Sequence, residues 1–289
     1  MQRDRSILST VPRNGRLAKR LAVFMELNQE EIDYLDQLQQ KEIRLNAGTD
    51  IISEGNPYQF SYILKDGWAI NYKLLPEGSR QIINFLLPGD FIGLRANWFK
   101  TAEASVAGLT DIIVSPMLPH RIITGSQKFP KLGAAIAWSS ARDESIMIEH
   151  IVSLGRRKAY ERIAHLILEL RKRLQIVGFT RQRSFILPVT QEVLGDYLGL
   201  TVVHVNRTLK KLRERGLIAM EGERLIIKDI EGLERTAGFD GDYLKQDKPS
   251  PMTTAFIERI DPSAPVEAPL KKRLGKIQEA APAGLKSTN

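Results

Sequence analysis

One stretch of this chain carries side chains suited to reading a polyanion. Residues 187–200 run Leu-Pro-Val-Thr-Gln-Glu-Val-Leu-Gly-Asp-Tyr-Leu-Gly-Leu, and residues 201–212 continue Thr-Val-Val-His-Val-Asn-Arg-Thr-Leu-Lys-Lys-Leu. The guanidinium of Arg207 can donate two parallel bonds to guanine O6 and N7, a contact worth about 1–3 kcal/mol of base discrimination. Lys210, Lys211 and Thr190 suit phosphate oxygens, which fix position on a duplex without reporting sequence. His204 can touch backbone or base, or hold a local hydrogen bond.

These side chains need two helices to position them. Thr190 is a suitable N-cap for a short helix whose apolar positions are Val193, Leu194, Tyr197 and Leu198. Gly199 then permits the left-handed backbone of a tight turn. Thr201 caps a second helix that buries Val205, Leu209 and Leu212, leaving Val202, Val203, Asn206, Arg207 and Lys210 on its outer face. Two short helices joined by a glycine turn describe a helix-turn-helix, whose second helix presents its N-terminal turns to the major groove. Residues 217–220 and 224–227 flank the turn Glu221-Gly222-Glu223, the pattern of a wing hairpin. A generic helical hairpin imitates part of this; cap, glycine, polar face and following hairpin together single it out.

Charge sits in the same region. The net charge is +8, and residues 156–216 hold 14 Lys/Arg against 5 Asp/Glu, leaving 28 against 29 for the rest. A segment holding the whole excess suggests a polyanion-binding module attached to a near-neutral one, the alternative being a solvated basic face. The chain has no cysteine. That excludes disulfides, thiol redox sensing and iron–sulfur clusters held by cysteine. No apolar run reaches the roughly 18–20 residues of a membrane helix. No signal-peptide h-region follows the basic N-terminus. The expectation is a soluble cytoplasmic protein with no membrane partner and no metal site.

The 289 residues suit two domains plus less regular sequence. Residues 1–27 read as a basic N-terminal arm, with a short helix starting near Asn28. From about Lys41 to Met117, short apolar runs are separated by Gly55, Gly67, Gly78 and Gly89, as in an all-β sandwich or barrel. From Pro130 the period changes: Leu132, Ile136, Met147, Ile151 and Leu154 fit one stripe of a long helix. A partner copy could cover that stripe, so Ile136, Met147, Ile151 and Leu154 are the expected dimer seam; packing against the β domain is the alternative. The expected divisions are 1–27, 28–128, 129–155, 156–238 and a flexible proline-rich tail at 239–289.

With Asp196-Tyr197-Leu198-Gly199-Leu200-Thr201 followed by His204-Val205-Asn206-Arg207-Thr208-Leu209, residues 30–230 resemble the CRP/FNR family of bacterial transcription regulators, FixK-like members especially. The resemblance implies an α+β chain: a cyclic-nucleotide-binding-like β-roll (a double-stranded jelly roll), a long dimerisation helix and a C-terminal winged helix. It implies a homodimer on palindromic double-stranded DNA, and RNA polymerase as partner if the protein activates. The family's recognition pattern of Glu, small polar residue and Arg reads here as Val203, Asn206 and Arg207. Val203 cannot accept from cytosine N4 but can pack on a thymine methyl.

The resemblance also places an effector pocket at Gly89, Asp90, Gly93, Arg95, Glu103 and Ser105. In the family's nucleotide binders a Glu follows the last glycine of this cassette, and a later Arg-Ser/Thr pair meets the phosphate. Here those segments read Leu94-Arg95-Ala96 and Ala102-Glu103-Ala104-Ser105, so cyclic AMP is not the expected effector and no cofactor is assigned. Haem ligation by His120 or His150 stays open. An alternative function is a ligand or haem sensor whose winged helix meets a protein. Enzymatic chemistry is not expected, since no clustered nucleophile and base, metal-ligand spacing or P-loop occurs.

Overall fold

The computed structural model describes residues 10–244. Two helices lead: α1 (Gly15–Ala22) and α2 (Gln29–Leu38). Helix α2 starts at a capping box, with Asn28 Oδ1 accepting from Glu31 N at 3.0 Å and Glu31 Oε2 from Asn28 N at 2.8 Å. Eight strands follow: β1 (Ile43–Leu45), β2 (Asp50–Ile52), β3 (Ser61–Asp66), β4 (Ala69–Leu74), β5 (Arg80–Leu86), β6 (Phe91–Ile92), β7 (Ser105–Gly108) and β8 (Ile112–Met117). They form two antiparallel sheets, in the orders β1-β8-β3-β6 and β2-β7-β4-β5. Their shared interior is filled by Ile52, Leu64, Leu86, Ile92, Val106 and Val114.

After α3 (His120–Lys128) comes the long helix α4 (Pro130–Arg156), then α5 (Ala159–Ile176). The C-terminal region holds β9 (Thr180–Arg181), β10 (Ser184–Ile186), α6 (Gln191–Leu198), α7 (Val202–Glu214), β11 (Ile218–Glu221), β12 (Arg224–Ile227) and α8 (Ile230–Ala237). Its sheet runs β11-β12-β10-β9. Among the described residues no helix is long and apolar enough to cross a membrane.

Residues 10–27 are not a free arm. Leu17 and Leu21 are fully buried beside Leu132, Ile136 and Trp138 of α4. The arginines of α1 are buried as well: Arg16 bonds the Lys65 carbonyl at 2.5 Å and Asp66 at 3.1 Å, and Arg20 pairs with Asp90 and Asp143. Their partners lie 49 to 123 residues away, which is why a local reading sees only a basic arm here.

Helix α4 divides between two roles, and this corrects the expected seam. Ile136 is buried in a cluster built mainly by the leading helices, with Ile63 and Phe91 of the strands, so the first half of α4 packs within its own chain but not on the β domain alone. Met147 and Leu154 are half-buried, whereas Ile151 is 67% exposed. The open face of α4 instead carries Ala137, Ala141, Glu144, Ile148, Ile151 and Val152 at spacings of three and four. Ser139 and Asp143, which interrupt the apolar stripe in sequence, face α1, where Arg20 Nε reaches Ser139 Oγ at 3.4 Å and Arg20 Nη2 reaches Asp143 at 2.6 Å.

The flexible tail expected from residue 239 does not hold for residues 239–244, for Phe239 and Leu244 are buried in the α5–α8 core. Its remainder lies outside the described residues. One apolar cluster joins the outer side of β4 and β5 (Trp68, Ile70, Phe85) to α5, α6 and the three-helix core. The C-terminal region is therefore seated on the β-roll. Arg80 of β5 meets Asp196 of α6 at 2.7 Å, and Phe85 lies 4.8 Å from the Tyr197 ring.

Candidate nucleic-acid interface

Each helix of the candidate reading unit is capped by its own threonine. Thr190 Oγ1 accepts from Val193 N at 3.2 Å, and Thr201 Oγ1 from His204 N at 3.3 Å. A hydroxyl that accepts one bond still has its own hydrogen to donate, so both caps keep a donor for phosphate. Between the helices, Gly199 has φ 63°, and Leu200 N closes the turn on Gly195 O at 3.1 Å. Gly195 is needed for a different reason: a Cβ there would stand 2.5 Å from the Leu200 carbonyl oxygen. The turn folds back so closely on α6 at this position that no side chain fits.

Burial on α7 separates its faces. Val205, Thr208, Leu209 and Leu212 are buried, while Thr201, Val202, Val203, His204, Asn206, Arg207, Lys210 and Lys211 are exposed, Val203 at 68%. All the candidate residues of this helix thus lie on its open side. Arg207 makes no ion pair among the described residues, and its charge stays available. Lys210 pairs with Glu214 at 3.7 Å across exposed surface, and Lys211 Nζ sits 5.2 Å from the centre of the Tyr160 ring. Arg215 covers that ring at 5.1 Å, so Tyr160 gathers two cations at the end of α7 distal to Arg207. The His204 imidazole makes no side-chain hydrogen bond among the described residues.

Two residues here escape a sequence reading. Gln191, the first residue of α6, accepts from Asn206 Nδ2 at 3.2 Å and ties the helices together across the turn. Its position directly after a cap was the available signal, but α6 is legible mainly through its apolar spacing. Tyr160 is the other, in the first turn of α5. The hairpin of β11 and β12 forms as expected, with paired Glu221 and Arg224 at its tip.

Comparison with known proteins matches two segments of the chain. Residues 161–236 match the Crp-like helix-turn-helix domain and residues 42–116 the cyclic nucleotide-binding domain. The nitrogen fixation regulation protein FixK of Bradyrhizobium diazoefficiens is 32% identical over 200 residues, 69% of this chain and 82% of that protein. The transcriptional activator protein FnrL of Cereibacter sphaeroides is 30% identical over 225 residues, 76% of this chain and 90% of that one. This chain belongs to the CRP/FNR family of transcription regulators. The structure of FixK2 from Bradyrhizobium japonicum superposes with a TM-score of 0.62 at 26% identity, over 68% of this chain and 96% of that one. As a CRP/FNR member the protein is a DNA-binding transcription regulator and not an enzyme.

The CRP/FNR effector cassette is present in outline and differently employed. Gly89 and Gly93 have φ values of 94° and 70°. Asp90 is buried under Arg20 of α1 and Arg173 of α5, the latter at 3.1 Å, and also accepts from Leu87 N at 3.0 Å. Arg95 pairs with Glu103 at 2.7 Å on open surface. Ser105 Oγ accepts from Glu54 N at 3.0 Å. Asp90 thus serves as an internal anchor, and Arg95 and Glu103 form a mutually neutralised surface pair.

The two histidines considered for haem differ in setting. His120 is exposed at the start of α3. His150 is buried, stacks on Tyr197 at 3.9 Å and lines a cavity of about 10 Å³ with Ser153, Arg162, His165 and Glu169. That space suits one water and no macrocycle. Burial holds His150 down to about 4 and His165 to about 3, so both are neutral near pH 7.

Proposed function

We propose that the protein binds a two-fold symmetric operator as a homodimer, with one α7 in each of two successive major grooves. The observation that carries this reading is the composition of the open face of α7: an unpaired Arg207 beside Val202, Val203 and Asn206, over a fully packed back. Arg207 reads a guanine; Val203 and Val202 offer methyl groups to thymine; Lys210, Lys211 and the two cap hydroxyls meet phosphates. The half-site differs from that of relatives carrying glutamate at the Val203 position.

The exposed Ile148, Ile151 and Val152 of α4 supply the dimer seam, extended by Ala137 and Ala141. DNA binding in this reading does not require cyclic AMP, because Asp90 and Arg95 are already engaged with protein partners. If the protein activates transcription, RNA polymerase is its further partner. Footprinting on DNA selected from a random pool tests the proposal. Two protected half-sites one helical turn (~34–36 Å) apart, with binding that weakens steeply with salt and is unchanged by cyclic AMP, are expected. An asymmetric single site, or dependence on the nucleotide, would refute it.

A further inference from the structure

The bond between Gln191 and Asn206 links α6 to α7 but adds little to folding. It lies in the open, 15 residues separate its partners, and an exposed hydrogen bond between neutral side chains adds little to stability. Among the described residues, neither amide makes another side-chain hydrogen bond. Its effect falls on the rotamer of Asn206, one position before Arg207 on the open face of α7.

We infer that Gln191 is a specificity-determining positioning residue, holding the Asn206 amide in the pose that reads an adenine. The inference rests on the proposed docking of α7 in the major groove. Reading adenine takes two bonds along one edge of a carboxamide: Oδ1 accepts from N6–H and one Nδ2 hydrogen donates to N7. Asn206 Nδ2 carries two hydrogens, so this leaves one over. Gln191 Oε1 takes that hydrogen and fixes which edge of the amide faces outward. A glutamine at this place therefore selects adenine at the Asn206 base pair without touching the base itself.

The size of the effect follows from counting poses. On a helix, χ1 of asparagine has about two accessible wells and the amide two orientations, so an unanchored Asn206 is in the reading pose roughly a quarter of the time. Apparent affinity scales with the competent fraction, so removing the anchor costs about fourfold in preference.

Binding of the full chain to its selected operator, and to operators with each base pair substituted in turn, tests this. Gln191→Ala is expected to lower the preference for A·T at one position about fourfold, at the same base pair where Asn206→Ala removes it about tenfold or more. Gln191→Glu keeps an acceptor for Asn206, so its base preference stays within about twofold of the native protein while every sequence binds more weakly through charge repulsion. Asn206 is exposed and Gln191 half-buried, so all three variants should fold. A Gln191→Ala profile identical to the native one, or an even loss on all sequences, overturns the inference, as does Gln191→Glu behaving like Gln191→Ala. If Arg207→Ala and Asn206→Ala both leave the profile unchanged, the docking of α7 itself is wrong.

Discussion

Arg142 is a liability inside this protein. Its guanidinium is buried, none of its three nitrogens has a hydrogen-bond partner among the described residues, and what offsets its charge is the Trp138 ring at 5.7 Å and the carboxylates of Asp143 and Asp90, acting without a hydrogen bond. Burial first, then the positive charges of Arg20 and Arg173, bring it down to about 10. A buried cation without hydrogen bonds is costly, and exchanging buried charges for apolar side chains of similar volume is often stabilising by about 1–4 kcal/mol. Arg142→Met should accordingly raise the thermal midpoint; a lower midpoint would show that the charge has a partner that outweighs its desolvation. The two buried histidines act at the same scale. Both are held below the unfolded value of about 6.5, so the unfolded chain takes up protons first as pH falls. Stability is then lost from pH 6.5 downward, by about 2 kcal/mol per histidine at pH 5, with the loss complete near 4 for His150 and near 3 for His165. His150→Phe keeps the stack on Tyr197 and should flatten the decline between pH 6.5 and 5 by that amount in denaturant titrations. An unaltered slope would mean that His150 is not the group that charges.

At the scale of elements, two surfaces decide how α6 and α4 are held. Helix α6 is clamped to β5 by Arg80 and Asp196, both partly exposed, and by Gln81 Nε2, which reaches the Tyr197 carbonyl at 3.3 Å. A double-mutant cycle of Arg80→Ala and Asp196→Ala should report a coupling of about 0.5–1 kcal/mol, as fits a half-exposed pair. Strict additivity would place the two side chains apart in solution. On α4 the exposed Ile151 lies within the proposed seam. Ile151→Glu puts a carboxylate against its own copy, so light scattering should find a monomer at micromolar concentration and operator affinity should fall by at least tenfold. Ile136→Ala instead should lower stability by about 2–5 kcal/mol, because that side chain fills the core of its own subunit. A stable Ile151→Glu dimer would move the interface off this face.

For the molecule as a whole, what could be read from sequence was what is local. The helix-turn-helix was legible because its caps, its glycine turn and the spacing of Val205, Leu209 and Leu212 all lie within two dozen residues. The β-roll was legible as a class for the same reason, with glycines marking its turns. Long-range pairings were not legible. Nothing near Arg20 or Arg173 in sequence announces Asp90, and nothing in the α4 stripe tells which apolar residues meet α1 and which stay open. The tie from Gln191 to Asn206 depends on the angle between two helices, which no periodicity encodes. The resulting molecule has its reading helix seated on its β-roll through one continuous apolar core, its cassette aspartate joining three elements. The central claim is that this assembly presents Arg207 to base edges. Selection of DNA by the native protein and by Arg207→Ala, in parallel, tests it most directly. The variant is expected to lose preference for a single G·C pair, at symmetric positions in both half-sites, by about tenfold or more, with other positions retained. A variant that selects the same sequences as the native protein would contradict it.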